Sequence, residues 1–231
     1  MKKYVMFGHN NLFGDLVEII HANGGVLTKI IQNMPEPSYP NRPTLKERLA
    51  SLQDSEHNPD NINQSYPIEV LPLEDFSPEP DEVYLMGFTG FRMDSLRQEL
   101  LAKFQIHFDP LIHPSALISP TAKISSGVII NMGSIIASGV FLGNHVAINK
   151  GVIIGHDTHL QDYVIVQPGV KVAGHVRIRK GAVLGIGSVV IEDLKIGEYS
   201  MIAAGAVVIR DVPSHTLVAG VPAIPKKQIN H

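Results

Sequence analysis

The sequence has no cysteine and no tryptophan, and its charges are nearly balanced. The chain of 231 residues carries 19 Lys and Arg against 22 Asp and Glu, which gives a formal net charge of -3. Without cysteine there are no disulfides, no thiolate nucleophiles and no Cys-ligated zinc. The balance of charge argues against a nucleic-acid partner and against a polybasic membrane surface.

Long apolar runs are missing as well. No stretch approaches the roughly 20 residues that a helix needs to span a bilayer. The N-terminal segment MKKYVMFGHNNLFGD has two Lys but lacks the apolar stretch of a secretory signal. We therefore expect a cytoplasmic protein of one or two domains, with no membrane and no nucleic-acid partner.

An aliphatic residue recurs at every sixth position through the C-terminal half of the chain. The series starts at Ile112 and reaches Val208 without a break, and a second series of small or β-branched residues stands two positions earlier. A period of six fits short strands, because residues two apart on a strand face the same side. It does not fit the 3.6-residue period of a helix or the irregular spacing of a β-sandwich.

Three such strands and three turns would close one triangular coil of about 18 residues, and coils would stack at the usual strand spacing of about 4.8 Å. Gly often precedes the second series, where a turn has to change the direction of the chain and positive φ is tolerated. The pattern predicts a parallel β-helix over residues 110–212, followed by a C-terminal tail at 213–231.

Residues 1–109 alternate between strand and helix patterns. Strands are predicted for YVMF, GVLTKII and EVYLMGF, and helices for the segment before Asn23-Gly24 and for MDSLRQELLAKF. Residues 34–66 are rich in Pro, Asn and Ser, which predicts a loop insertion with one short helix, TLKERLASLQ. Together these patterns predict a small α/β (Rossmann-like) domain with a parallel sheet.

Two domains in this order resemble the sialic-acid-cluster sugar O-acyltransferase family, which includes N-acetyltransferases such as that of the bacillosamine pathway. The resemblance covers nearly the whole chain and rests on IHPSA at 112–116, GHD at 155–157 and GVPA at 220–223. It implies a left-handed β-helix of hexapeptide repeats, a homotrimer, and an acetyl-CoA groove between neighbouring β-helices. It also implies that the N-terminal domain holds the acceptor, a nucleotide-linked sugar.

His156 stands two residues after the repeat residue Ile154, so it falls at an outward-facing turn. Histidine suits the role of general base because its ordinary pKa lies near neutrality. The resemblance assigns that role to His156 and a supporting role to the carboxylate of Asp157. One coil of 18 residues after His156 comes Gly174, to whose N–H the resemblance assigns the thioester oxyanion.

The resemblance also marks the binding residues for both substrates. For the pantetheine arm and the adenosine phosphates of acetyl-CoA it implies Gly185, Ile186, Gly187, Ser188, Lys226 and Lys227. For the acceptor it points to the first loop, where the family has G-x-G-G-x-G and this chain has Gly8, Asn10 and Asn11 within GHNNLF.

Three departures from the family pattern leave the acceptor and the choice between N- and O-acylation open. Only the first Gly of the Gly-rich loop is present, at Gly8. The second histidine that many family members have nine residues after the first is Ile165 here, and the insertion at 34–66 is longer than the family pattern implies.

Two other functions are compatible with a β-helix. One is a non-catalytic protein that binds a ligand or a partner, and the other is a metal-dependent hydration enzyme like the γ-class carbonic anhydrases. The second needs three histidines gathered across a subunit interface, and His145, His159 and His175 do not complete that spacing with His156. We expect those three histidines at solvent-side or turn positions, no metal, and an acetyl-CoA-dependent acyltransferase.

Overall fold

The computed structural model describes residues 1–9, 12–32, 43–53, 66–89 and 93–229. The chain forms two compact units. The first contains Met1–Phe88 and Gln98–Asp109, and the second contains Thr89–Arg97 and Pro110–His231. The boundary between Asp109 and Pro110 coincides with the start of the hexad repeat. Residues 89–97 also belong to the second unit, although they precede the repeat.

The first unit contains a parallel sheet, as the alternating pattern predicts. Its order is β3-β2-β1-β4, with β1 at Lys3–Phe7, β2 at Val26–Gln32, β3 at Glu69–Pro72 and β4 at Glu82–Met86. The sequence predicts three of these strands but not β3, which is short and runs into the 3-10 turn Leu73–Asp75. The sheet core is apolar, and the side chains of Val5, Met6 and Phe7 are fully buried.

Within the described residues three α-helices accompany the sheet, each at a predicted position: α1 at Phe13–Ala22, α2 at Leu45–Gln53 and α3 at Met93–Phe104. Helix α1 buries one face and ends where the Asn23 side-chain amide donates to the carbonyl of Ile19, at 2.8 Å. Helix α2 starts with a capping box in which Thr44 and Glu47 each accept a hydrogen bond from the other's backbone N–H. Within the predicted insertion, residues 34–42 and 54–65 lie outside the described residues. No helix in the described ranges is long and apolar enough to cross a membrane.

The second unit is the predicted parallel β-helix, with strands of two residues that return to the same sheet every 18 residues. The five-stranded sheet contains β7 (Lys123–Ile124), β10 (Phe141–Leu142), β13 (His159–Leu160), β16 (Arg177–Ile178) and β19 (Lys195–Ile196). The six-stranded sheet contains β6 (Leu117–Ile118), β9 (Ile135–Ile136), β12 (Ile153–Ile154), β15 (Lys171–Val172), β18 (Val189–Val190) and β21 (Val207–Val208). The eight-stranded sheet contains β5 (Leu111–Ile112), β8 (Ile129–Ile130), β11 (Ala147–Ile148), β14 (Ile165–Val166), β17 (Val183–Leu184), β20 (Met201–Ile202), β22 (Thr216–Ala219) and β23 (Ile224–Gln228).

The interior of the β-helix is built from the two sequence series. In β12, Ile154 and the residue two before it, Val152, are both fully buried, while Ile153 between them faces outward. The same alternation holds on successive coils, so like side chains stack on like side chains in one continuous core. The outward residue of each strand is therefore free to differ between the three sheets, and it sets the chemistry of each outer surface.

The C-terminal tail is more ordered than the sequence suggests. Strand β22 pairs in parallel with β20 and continues the eight-stranded sheet, and β23 then pairs with β22 in the antiparallel direction. The GVPA motif forms the turn between them, with a cis peptide bond at Val221–Pro222. The β-helix thus extends past residue 212, the end that the repeat predicts.

Candidate active site

His156 lies at the corner between the six-stranded and five-stranded sheets, in the turn that joins β12 to β13. Its side chain is exposed, as the repeat predicts, and its Nδ1 is 3.0 Å from Oδ2 of Asp157. With Nδ1–H donating to that carboxylate, Nε2 is the nitrogen left to accept a proton. Asp157 has a positive φ of 56°, and this conformation turns the chain so that the two adjacent side chains meet.

Gly174 packs directly against the His156 ring. A Cβ built on Gly174 would lie 2.7 Å from both Cε1 and Nε2 of that imidazole, so any side chain there would displace the ring. Gly155 is equally constrained, since its Cβ would lie 2.6 Å from the Gly174 nitrogen. Among the described residues no hydrogen-bond acceptor is found for the Gly174 N–H.

His175 completes this corner, and sequence reasoning did not assign it to the site. Its ring stands edge-to-face on His156, with centroids 4.9 Å apart and planes at 89°. It occupies the same turn position as Asp157, one coil on, with a φ of 59°. The spacing of 18 residues from Asp157 to His175 is the signal that could have placed it there.

The same corner offers three potential metal ligands. The donor atoms of His156, Asp157 and His175 lie within 4.8 Å of one another, and all three residues are exposed. They are the only such group found among the described residues. The three donors come from one chain, whereas the metal-dependent alternative predicted from the sequence draws its histidines from two.

The residues expected along the pantetheine arm differ in their exposure to solvent. Gly185, Ile186 and Gly187 form the turn between β17 and β18, and the Ile186 side chain is exposed. Ser188 is fully buried, and its hydroxyl has no hydrogen-bond partner among the described residues. Its backbone N–H donates to the carbonyl of Gly185 and its carbonyl accepts from the N–H of Lys171, so the structure does not present Ser188 to a ligand.

The remaining expected residues lie far apart along the chain. Lys226 and Lys227 are exposed on β23. Gly8 follows β1 with a φ of 67°, and its N–H donates to the carbonyl of Ile31. Asn10 and Asn11, the other two predicted acceptor contacts, lie outside the described residues.

The second unit also contains a polar network that the sequence does not predict. His145, expected at a solvent-side or turn position, is at a turn but buried, stacked 5.8 Å from Tyr163 with nearly parallel rings. Arg97, from the start of α3, donates to the His145 Nε2 at 2.6 Å. Burial and this Arg97 cation lower the pKa of His145 to about 3. Tyr163 in turn donates to Asp94, which also pairs with Lys180 at 2.7 Å.

A family model described as the bacterial transferase hexapeptide (six repeats) matches residues 175–210. The chain carries the hexapeptide repeat of bacterial transferases. No protein with a curated description matches the sequence.

Solved structures with this two-part architecture match over nearly the full length. A mutant of perosamine N-acetyltransferase from Caulobacter crescentus, in complex with CoA and GDP-perosamine, is 26% identical with a TM-score of 0.73, over 99% of this chain and 98% of that one. The acetyltransferase domain of PglB from Neisseria gonorrhoeae, in complex with acetyl coenzyme A, is 23% identical with a TM-score of 0.77, over 97% and 99% of the two chains. WeeI from Acinetobacter baumannii is 19% identical with a TM-score of 0.76, over 98% and 100%.

The similarities to PglB and WeeI show the fold alone. The similarity to the perosamine N-acetyltransferase also includes the sequence, with 26% of residues identical. Together with the repeat they confirm the resemblance predicted from the sequence, to sugar acyltransferases with a small α/β unit followed by a left-handed β-helix. They also confirm the predicted class of enzyme, an acyltransferase with hexapeptide repeats.

Proposed function

We propose that the protein transfers the acetyl group of acetyl-CoA to a sugar, and more narrowly to an amino sugar linked to a nucleotide. The observation that carries the proposal is the corner at which His156 contacts the Asp157 carboxylate and lies against Gly174. The similarity to a perosamine N-acetyltransferase that holds CoA and GDP-perosamine supports both substrates.

In the proposed mechanism His156 is the general base. Its Nε2 takes the proton from the acceptor amine or hydroxyl as that group attacks the thioester carbonyl. The Gly174 N–H donates to the oxyanion of the tetrahedral intermediate, and the Asp157 carboxylate stabilises the imidazolium. The intermediate then collapses by breaking the C–S bond, and the departing CoA sulfur receives the proton from the imidazolium.

The remaining substrate contacts are also proposals. Gly185, Ile186 and Gly187 would line the pantetheine arm, and Lys226 and Lys227 would meet the adenosine phosphates. Gly8, Asn10 and Asn11 would contact the acceptor. We propose the cytoplasm as the location, where acetyl-CoA would be supplied.

We also propose that the protein is a homotrimer that assembles through the six-stranded sheet. Three outward side chains of this sheet, Leu117, Ile135 and Ile153, are exposed by 66%, 39% and 38%. They lie in register on successive coils and form a continuous apolar strip, which is the kind of surface that a second copy would cover.

The test is the release of free CoA from acetyl-CoA, with GDP-perosamine as the first acceptor and other amino sugars after it. We expect turnover by the wild type, and a loss of roughly a hundredfold or more for His156→Ala, since a general base contributes about that much. The matched control is His107→Ala, which removes an exposed histidine in the first unit. Turnover that survives in His156→Ala would exclude this residue as the base, and turnover that a chelator abolishes would favour the metal-dependent alternative.

A further inference from the structure

The contact between His156 and Asp157 is exposed to solvent. Each of the two side chains is exposed by 56%, and Nδ1 of His156 lies 3.0 Å from Oδ2 of Asp157. Water screens an exposed pair of this kind, so the pair contributes little energy to the conformation that forms it. A general base must nevertheless stay within hydrogen-bond reach of the proton that it takes. The His156 ring therefore needs further contacts to stay in place.

The His156 ring leans toward the following coil of the β-helix. A Cβ built on Gly174, one coil on, would lie 2.7 Å from Cε1 and Nε2 of the ring and 3.1 Å from Cδ2. The Asp157 carboxylate leans the other way, since a Cβ on Gly139, one coil back, would overlap its Oδ1. The imidazole thus lies on the side of the corner that Gly174 shares with its neighbour in the chain, His175.

The ring of His175 supplies a further contact to His156. The two rings meet edge-to-face, with centroids 4.9 Å apart and planes at 89°. Aromatic pairs favour this arrangement at centroid distances of about 4.5–7 Å. The backbone keeps the two residues together, because the His175 N–H donates to the carbonyl of His156 at 2.9 Å. The register of the coils therefore places the His175 side chain beside the proposed base.

The turn itself does not require a histidine at residue 175. This position needs a residue that tolerates positive φ, and Gly, Asn or Asp would serve. On six successive coils the same turn position holds Thr121, Gly139, Asp157, His175, Asp193 and Asp211. His175 is the one aromatic residue of the six, and it stands on the coil that follows His156. Its ring occurs where it can reach the base.

We propose that His175 is a positioning residue, whose ring holds the imidazole of His156 against Gly174 and leaves Nε2 open to the acceptor. The inference rests on the proposed function, because it takes His156 as the general base. His175 acts through the ring contact and not through its own nitrogens. Without this contact the His156 ring would leave its productive position for part of the time, and the rate would fall in proportion.

The experiment compares two substitutions of His175 in the whole protein. His175→Asn removes the ring and keeps the turn, because Asn adopts positive φ. His175→Phe keeps a ring but has no nitrogen to take a proton or bind a metal. Tyr163 and Tyr199, with φ of 61° and 52°, show that turns of this β-helix accommodate an aromatic side chain at positive φ. The control is Tyr199→Asn, which removes a ring from the turn between β19 and β20.

The measurements are the kinetics of CoA release, with acetyl-CoA and GDP-perosamine, and a crystal structure of each variant. We expect His175→Asn to lower kcat roughly three- to tenfold, the range that the loss of one aromatic contact gives, with KM unchanged for both substrates. His175→Phe and Tyr199→Asn should keep the wild-type kcat. The His156 ring should occupy more than one position in His175→Asn and its original position in His175→Phe.

Two kinetic outcomes would overturn the inference. A full kcat in His175→Asn would show that the ring contact plays no part, and an equal loss of kcat in His175→Phe would show that His175 acts through its nitrogens. A change confined to KM would make His175 a binding residue instead, and that too would overturn it.

The crystal structures separate this inference from the proposed function, because they report the position of the His156 ring without turnover. An active enzyme whose His156 ring stays in place in His175→Asn would contradict only the positioning role. A protein that transfers no acetyl group, but whose His156 ring moves in His175→Asn and not in His175→Phe, would contradict only the acetyl transfer.

Discussion

At the scale of single residues, the candidate site depends on a glycine that touches the proposed base. The imidazole of His156 lies against Gly174, and the Gly174 peptide lies against Gly155. A side chain at Gly155 would meet backbone atoms, and a side chain at Gly174 would displace the His156 ring. The repeat alone does not distinguish these glycines from the others at turns, but the distance of one coil between His156 and Gly174 predicts their contact.

The first prediction concerns Gly174→Ala. The added methyl group would lie 2.7 Å from two atoms of the His156 ring, so the ring would have to move. Because a displacement of about 1 Å costs on the order of a hundredfold in rate, we expect kcat to fall by about that factor while the protein stays folded. Acetyl-transfer assays and thermal unfolding measure the two effects. The control is Gly14→Ala, where nothing lies within 4 Å of the new methyl group, and a full rate in Gly174→Ala would contradict the geometry.

The second prediction separates the charge of Asp157 from its backbone conformation. Asn adopts positive φ as readily as Asp, so Asp157→Asn keeps the turn and removes only the carboxylate beside His156. We expect kcat to fall roughly tenfold to a hundredfold without loss of stability. Asp193→Asn is the matched control, because Asp193 holds the same turn position two coils further on, with a φ of 62°. Equal rates in the two variants would show that the carboxylate of Asp157 plays no part.

At the scale of elements, the N-terminal part of α3 is hydrogen-bonded to one corner of the β-helix. Asp94 and Arg97 reach Tyr163, Lys180 and His145 through side-chain hydrogen bonds and an ion pair. These partners are 48 to 86 residues apart in the chain, and no periodicity links them. This explains why the sequence predicts both elements but misses their contact and the burial of His145.

The third prediction follows from the buried His145. Its pKa is lowered to about 3, whereas an unfolded histidine titrates near 6.5. Below pH 6.5 the unfolded chain binds a proton at His145, whereas the folded chain keeps this ring neutral, so a lower pH favours unfolding. The contribution of His145 to the free energy of unfolding is therefore fully present above pH 6.5 and is lost as the pH falls toward 3. We expect this group to lower the free energy of unfolding by up to about 1.4 kcal/mol per pH unit in that window. Urea denaturation between pH 4.5 and 6.5 should show a shallower slope for His145→Gln but not for His107→Gln, and equal slopes would contradict the assignment.

At the scale of the whole molecule, the three outer surfaces of the β-helix differ although its interior is uniform. The aliphatic repeat fixes the inward residues, which is why the sequence predicts the fold from Ile112 to Val208. It says nothing about the outward positions, which carry the apolar strip of Leu117, Ile135 and Ile153 on one sheet and Lys123, Arg177 and Lys195 on another.

The fourth prediction tests the proposed assembly. Ile135 lies in the middle of the apolar strip, so Ile135→Lys would place a charge in the interface and should convert the trimer to monomers. Sedimentation velocity measures the state directly. The control is Met201→Lys, which changes a similarly exposed apolar residue on the eight-stranded sheet. If Ile135→Lys remains trimeric and Met201→Lys does not, the interface lies on the eight-stranded sheet and the proposal is wrong.

The most direct test of the acetyl-transfer centre is a crystal structure of the protein with acetyl-CoA. We predict that the thioester oxygen lies within about 2.7–3.1 Å of the Gly174 nitrogen, with the carbonyl carbon facing the open side of the His156 ring. An ordered acetyl-CoA whose thioester lies away from this corner would contradict the account.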